Sequence, residues 1–200
     1  MISHWNVGVF LFNEVEVLDF AGPFEVFSVT ATSEGQPFTV HTVSQDGEMI
    51  TARNGLKVQP DYSIEDLPPV DILIIPGGLG ARENEIKNEI IINWIRQQMK
   101  EVKLMTSVCT GALLLAKAGL LDGFKATTHW ASIENFRNDF PNVEVLENVK
   151  FVDEGHIITS GGISAGINMS FHIVKNLLGA RIAEETAKRM EYDIDLKYLK

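Results

Sequence analysis

The chain has 200 residues, about one domain's length, and 45% of them are apolar, enough to bury a core without disulfides or a structural metal. Its 17 Lys and Arg against 27 Asp and Glu give a formal charge of −10, which argues against non-specific binding to nucleic acid or to an anionic membrane. The single cysteine, Cys109, excludes an internal disulfide and a zinc site made of several thiolates.

The N-terminal stretch MISHWNVGVFLFNEVEV has no basic n-region and no small-residue cleavage site, so no signal peptide is expected. No apolar run reaches the roughly 18 residues of a membrane span. The expectation is therefore a cytoplasmic protein with no membrane partner. No low-complexity tract or Pro/Gly/Ser-rich linker divides the sequence, and one domain over residues 1–200 is expected.

In chain order, residues 5–12 (WNVGVFLF) are apolar and β-branched, and read as a buried strand. A helix is predicted from Gly22 to Thr32, with Pro23 near its start, where a missing N–H does no harm. Residues 38–44 alternate as a strand does, and 48–59 read as a small hairpin turning at Asn54-Gly55. The continuous apolar run 71–76, ending in Gly77-Gly78, suits a strand buried on both faces of a parallel sheet. Helical spacing follows over 85–99, then a strand over 103–108 that runs into Cys109. Residues 110–119 form an Ala/Leu helix stopped by Gly119. Strands are predicted at 125–129, 143–146, 149–153 and 156–160, and helices at 131–138, 164–178 and 181–191.

Strand and helix alternate through most of this pattern. The fold class expected is α/β, with a mainly parallel sheet and helices on both faces. Such sheets place their sites at the carboxyl edge of the strands. Asp19, Gly77-Gly78 and Cys109 all fall at that edge.

Cys109 stands between a strand and a helix rich in small residues, the arrangement of a nucleophile elbow. Gly111 lets the helix pack close to the turn. Free N–H groups at the start of that helix are expected to lower the thiol pKa. The five histidines, His4, His41, His129, His156 and His172, show no metal-ligand spacing, so neither a metal nor a cofactor is expected.

Five motifs occur in one order: Leu18-Asp19-x-x-Gly22-Pro23, Pro76-Gly77-Gly78, Val108-Cys109-Thr110-Gly111, Ala126-Thr127-Thr128-His129-Trp130 and Ser160-Gly161-Gly162-x-x-Ala165-Gly166. In this the chain resembles the DJ-1/PfpI superfamily over about residues 5–190, and within it the isonitrile hydratase group. The resemblance implies a flavodoxin-like fold, related to class I glutamine amidotransferases, and a homodimer acting on a small-molecule substrate.

It also implies roles for particular residues. Cys109 is the nucleophile and Asp19 its acidic partner and proton shuttle, an aspartate here as in the hydratases. Thr110 contributes its hydroxyl or N–H near the reacting atom. Gly77 and Gly78 supply N–H groups over the cysteine. Ile163 lines the substrate pocket, and His129 lies close to the thiol. Trp130 and Phe20 are candidates for the apolar wall that an organic isonitrile needs. The activity implied is that of a lyase, with thiol addition to an isonitrile, a thioimidate on Cys109, and release of an N-substituted formamide.

Other readings follow from the same resemblance. Cys109 could be a redox sensor, or the enzyme could act on reactive carbonyls as a glyoxalase does. AraC-type regulators carry a similar domain joined to a helix-turn-helix. With residue 200 falling at about the end of the domain and a charge unsuited to DNA, no such part is expected here. Thr110 replaces the histidine that follows the cysteine in PfpI-type proteases, so a protease triad is not expected.

Overall fold

A computed structural model describes residues 4–194. Strand β1 (Trp5–Phe10) leads into helix α1 (Val17–Val29) and strand β2 (Phe38–Ser44). Strands β3 (Ile50–Thr51) and β4 (Lys57–Val58) form the hairpin expected around Asn54-Gly55. Strand β5 (Tyr62–Ser63), strand β6 (Ile72–Ile75), helix α2 (Leu79–Glu83), helix α3 (Glu89–Glu101) and strand β7 (Leu104–Val108) follow. Helix α4 (Gly111–Lys117), strand β8 (Lys125–Ala126), helix α5 (Ile133–Asp139) and strand β9 (Glu144–Val145) come next. The described chain ends with strands β10 (Phe151–Asp153) and β11 (Ile157–Ser160) and helices α6 (Ala165–Leu178) and α7 (Ala180–Arg189).

The central sheet has the order β10-β11-β7-β6-β1-β2-β5, and every pair in it is parallel except β10 with β11. This is a flavodoxin-like α/β fold. All four residues of β6 are buried, as a continuous Ile-Leu-Ile-Ile run in mid-sheet should be. Helices α1 and α6 pack together on one face and α3 and α4 on the other. Buried Phe20, Val26 and Phe27 hold α1 to the core, where Phe27 meets the edge of Phe38 at 4.9 Å between ring centres. Among the described residues no helix is long and apolar enough to cross a membrane.

Strand β1 has β2 on one side and β6 on the other. The chain therefore leaves β1 in one direction and later returns on its opposite side. The loops that follow β1 and β6 diverge at their carboxyl ends and open a crevice there.

Three local readings are corrected. Helix α1 begins at Val17, not Gly22, so Asp19 lies in its first turn and Pro23 in its interior. The N–H that Pro23 lacks is the one that would have bonded to the Asp19 carbonyl four residues back. The strand expected over 125–129 stops at Ala126 and pairs with β9 outside the main sheet. Residues 130–132 then form a 3-10 turn rather than the start of a helix. The five-residue α2 and the two-residue β5 were too short for periodicity to reveal.

Candidate functional site

Cys109 follows directly on β7 with φ +57°, a left-handed conformation that costs a residue with a side chain about 1–2 kcal/mol. The surrounding backbone holds it there. Its N–H donates to the Ser160 carbonyl at 3.1 Å and the Gly161 carbonyl at 3.3 Å. Its own carbonyl accepts the buried Thr128 hydroxyl at 2.8 Å. Gly111 is required for the same turn, because a Cβ at that position would strike the Ile75 carbonyl.

Asp19 is fully buried beside the thiol. Its Oδ2 accepts the Gly77 N–H at 3.0 Å, and its Oδ1 has no hydrogen-bond partner among the described residues. Burial raises its pKa to about 7; the Gly77 N–H and the Cys109 thiol oppose the rise, and the Glu16 charge adds to it. A carboxyl in this setting changes protonation state near neutral pH.

The thiol is only 6% exposed. Burial drives its pKa well above the usual thiol value, and a charged Asp19 drives it further, against smaller pulls from the Thr110 N–H and hydroxyl. The expectation of a lowered thiol pKa is thus reversed. Desolvation at the foot of the crevice outweighs the few N–H groups at the start of a seven-residue helix. The pair rests as a protonated thiol beside a carboxyl that titrates.

Gly77 and Gly78 lie beside the site, but their N–H groups are engaged. The first bonds Asp19, and the second donates to the Thr110 hydroxyl at 2.9 Å. They fix the positions of the two side chains rather than offering free donors to a substrate. Thr110 is tied in return, its hydroxyl lying 3.3 Å from the Gly78 carbonyl.

His129 and Ile163 both line the cavity over Cys109, which has a volume of about 300 Å³. His129 caps the 3-10 turn, its Nδ1 accepting the Ala131 N–H at 3.3 Å. That bond fixes the tautomer with the proton on Nε2. Burial and the Arg82 charge lower its pKa, against Glu16, so the ring is neutral at pH 7. Gly162 packs directly against Cys109 and His129. A Cβ there would lie 2.7 Å from the Cys109 sulfur and 2.8 Å from His129 Cδ2.

The two aromatic candidates stand elsewhere. Phe20 is in the core, and Trp130, 81% exposed, borders a separate cleft of about 460 Å³ together with Ile133 and Val149. The wall over Cys109 carries the charged residues Glu16, Arg53 and Arg82 beside the apolar Leu79 and Ile163. Sequence reasoning gives those three charged residues no role, because only the fold brings the segments after β1 and β3 and helix α2 to one cavity. Thr128 and Gly162 lay inside the quoted motifs, but their contacts with Cys109 depend on how those segments fold over it. Among the described residues no group of three or more His, Cys, Asp or Glu could hold a metal.

The family model described as DJ-1/PfpI matches residues 6–176. The chain is 34% identical over 188 residues to the isonitrile hydratase of Pseudomonas putida, covering 94% of this chain and 78% of that protein. It is 26% identical over 189 residues to the HTH-type transcriptional regulator GbdR of Pseudomonas aeruginosa, covering 94% of this chain but 51% of the regulator's length. Among solved structures, a ThiJ/PfpI family protein from Pseudomonas syringae superposes with a TM-score of 0.82 at 26% identity, covering 97% of this chain and 77% of that one.

Proposed function

The chain belongs to the DJ-1/PfpI family, and we propose that it is a cysteine-dependent lyase that hydrates isonitriles to N-substituted formamides. The observation that carries this reading is the buried Asp19 carboxyl beside the Cys109 thiol, with a pKa of about 7. Similarity to an isonitrile hydratase over nearly the whole chain supports it.

The chemistry needs one proton to move from sulfur to carbon, and the pair is suited to carry it. With Asp19 ionised, its carboxylate accepts the thiol proton as Cys109 sulfur bonds the isonitrile carbon. The same proton passes from Asp19 to that carbon, giving a neutral thioimidate, R–N=CH–S–Cys109, with nothing gained or lost. Water then adds to the thioimidate carbon and a proton reaches nitrogen. The carbon–sulfur bond breaks, releasing R–NH–CHO and restoring the thiol. Thr110, Gly77 and Gly78 hold the two reacting side chains in place. His129, with its Nε2 proton, and Ile163 line the space the substrate occupies. The sequence requires no cofactor in this scheme.

Purified protein is to be mixed with p-nitrophenyl isocyanide and the formamide product followed. Turnover well above that of Cys109→Ala is expected, and equal rates in the two proteins overturn the assignment. We also infer a cytoplasmic location and, by family resemblance, a homodimer; light scattering that reports a monomer at micromolar concentration contradicts the dimer.

A second reading is favoured by the similarity to GbdR over 94% of this chain. In that reading the domain senses a small molecule at the same cavity without turning it over. Stoichiometric binding with no product is its signature.

A further inference from the structure

An organic isonitrile with an apolar substituent calls for an apolar wall over the nucleophile. The cavity over Cys109 is mixed, with Leu79 and Ile163 but also Glu16, Arg53 and Arg82 among its lining residues. One of these three charges is already paired within the protein. Arg53 donates to Glu14 at 3.1 Å. Glu16 lies near enough to act on both Asp19 and His129. Arg82 makes no ion pair or hydrogen bond among the described residues, yet it lines the same cavity as His129 and its charge acts on that ring.

We propose that this cavity selects a substrate carrying a carboxylate, and that Arg82 is the residue that selects it. The guanidinium presents a planar fork of N–H donors that fits a carboxylate through two parallel hydrogen bonds. The arrangement also sets the direction of binding. An anion pushed toward the thiol meets the buried Asp19 carboxyl, whereas Arg82 is exposed to solvent. The uncharged reactive group then points to Cys109 and the carboxylate to solvent. As a statement about substrate the proposal rests on the isonitrile reading, which it narrows to isocyano carboxylates. The anion preference itself belongs to the cavity and can be measured without that reaction.

Two measurements test it. Cys109 is alkylated by iodoacetate and by iodoacetamide, which differ in carrying a carboxylate or a neutral amide. The iodoacetate-to-iodoacetamide rate ratio is expected to fall about fivefold in Arg82→Gln, to be largely retained in Arg82→Lys and to fall further in Arg82→Glu, as an exposed charge contact allows. The differences shrink in about 1 M salt. In steady state, Arg82→Gln is expected to raise KM for isocyanoacetate while leaving kcat/KM for its methyl ester unchanged. An alkylation ratio and a KM both indifferent to Arg82 overturn the proposal, whether or not isonitriles are hydrated. A ratio that shifts as expected, with neither isonitrile turned over, upholds the anion site and overturns the hydratase reading instead.

Discussion

Asp19 lies buried against Cys109 with Oδ2 accepting the Gly77 N–H at 3.0 Å and Oδ1 free of any hydrogen-bond partner among the described residues. The Gly77 N–H fixes the carboxyl in place, and in the proposed reaction that carboxyl takes up the thiol proton. The same burial that sets the pKa near 7 makes the charged form costly. Function and stability therefore pull in opposite directions at this residue.

The functional side appears in the pH profile. If ionised Asp19 takes the thiol proton, kcat/KM falls as pH drops through about 7, the pKa of this carboxyl. Asp19→Asn removes that limb and lowers kcat/KM by about 100-fold or more, the usual contribution of a positioned base. An acid limb that survives in the variant assigns the proton transfer to another group.

The stability side has the opposite sign from an ordinary aspartate. The pKa is about 7 in the folded chain against 3.8 as a model value, so between those pH values the folded state binds more protons than the unfolded state. The Asp19 contribution to stability is greatest below the unfolded pKa and declines as pH rises through the folded one. Above pH 7 the lost stability is on the order of a few kcal/mol. Asp19→Asn, which cannot ionise, is expected to gain in Tm relative to wild type as pH goes from 5 to 8. A Tm difference that stays flat over that range contradicts the shift.

The sequence makes the sheet and the elbow legible because both are local. The run from Asp71 to Pro76 has no reason to be apolar throughout except burial on two faces, and β6 is buried along its length. The start of α1 was misplaced because Pro23 looks like a first-turn residue, whereas here it sits in mid-helix. The thiol pKa was misjudged for a different reason: the helix start is visible in sequence, while the depth of the crevice is set by Gly162, Thr128 and Asp19 arriving from distant segments. Charge at the mouth was invisible on the same ground. Arg82 is one charge in an exposed stretch until α2 carries it to the cavity that His129 also lines.

Gly162 separates folding from reactivity. In Gly162→Ala the added carbon stands 2.7 Å from the Cys109 sulfur and 2.8 Å from His129 Cδ2, so the Gly162 segment must shift or the thiol must turn. Overpacking of this kind costs about 1–3 kcal/mol. The expected outcome is a native far-UV circular dichroism spectrum, a lowered Tm and a Cys109 alkylation rate changed by more than the stability loss explains. Unchanged alkylation would show that the sulfur does not lie against this segment.

Thr128 tests how the elbow is held. Its buried hydroxyl is the 2.8 Å donor to the Cys109 carbonyl. Thr128→Val keeps the shape but leaves that carbonyl without this donor, which costs about 1–3 kcal/mol. Thr128→Ser restores the hydroxyl and is expected to recover most of the loss, because only a methyl group is then missing. Cys109 already carries the strain of φ +57°, so removing a group that holds it lets the turn relax. The Val variant is therefore expected to lose kcat at unchanged KM, as the sulfur leaves its line to Asp19, while the Ser variant keeps both. Equal activity in the Val and Ser variants would mean that the Ser160 and Gly161 carbonyls hold the elbow without help from Thr128.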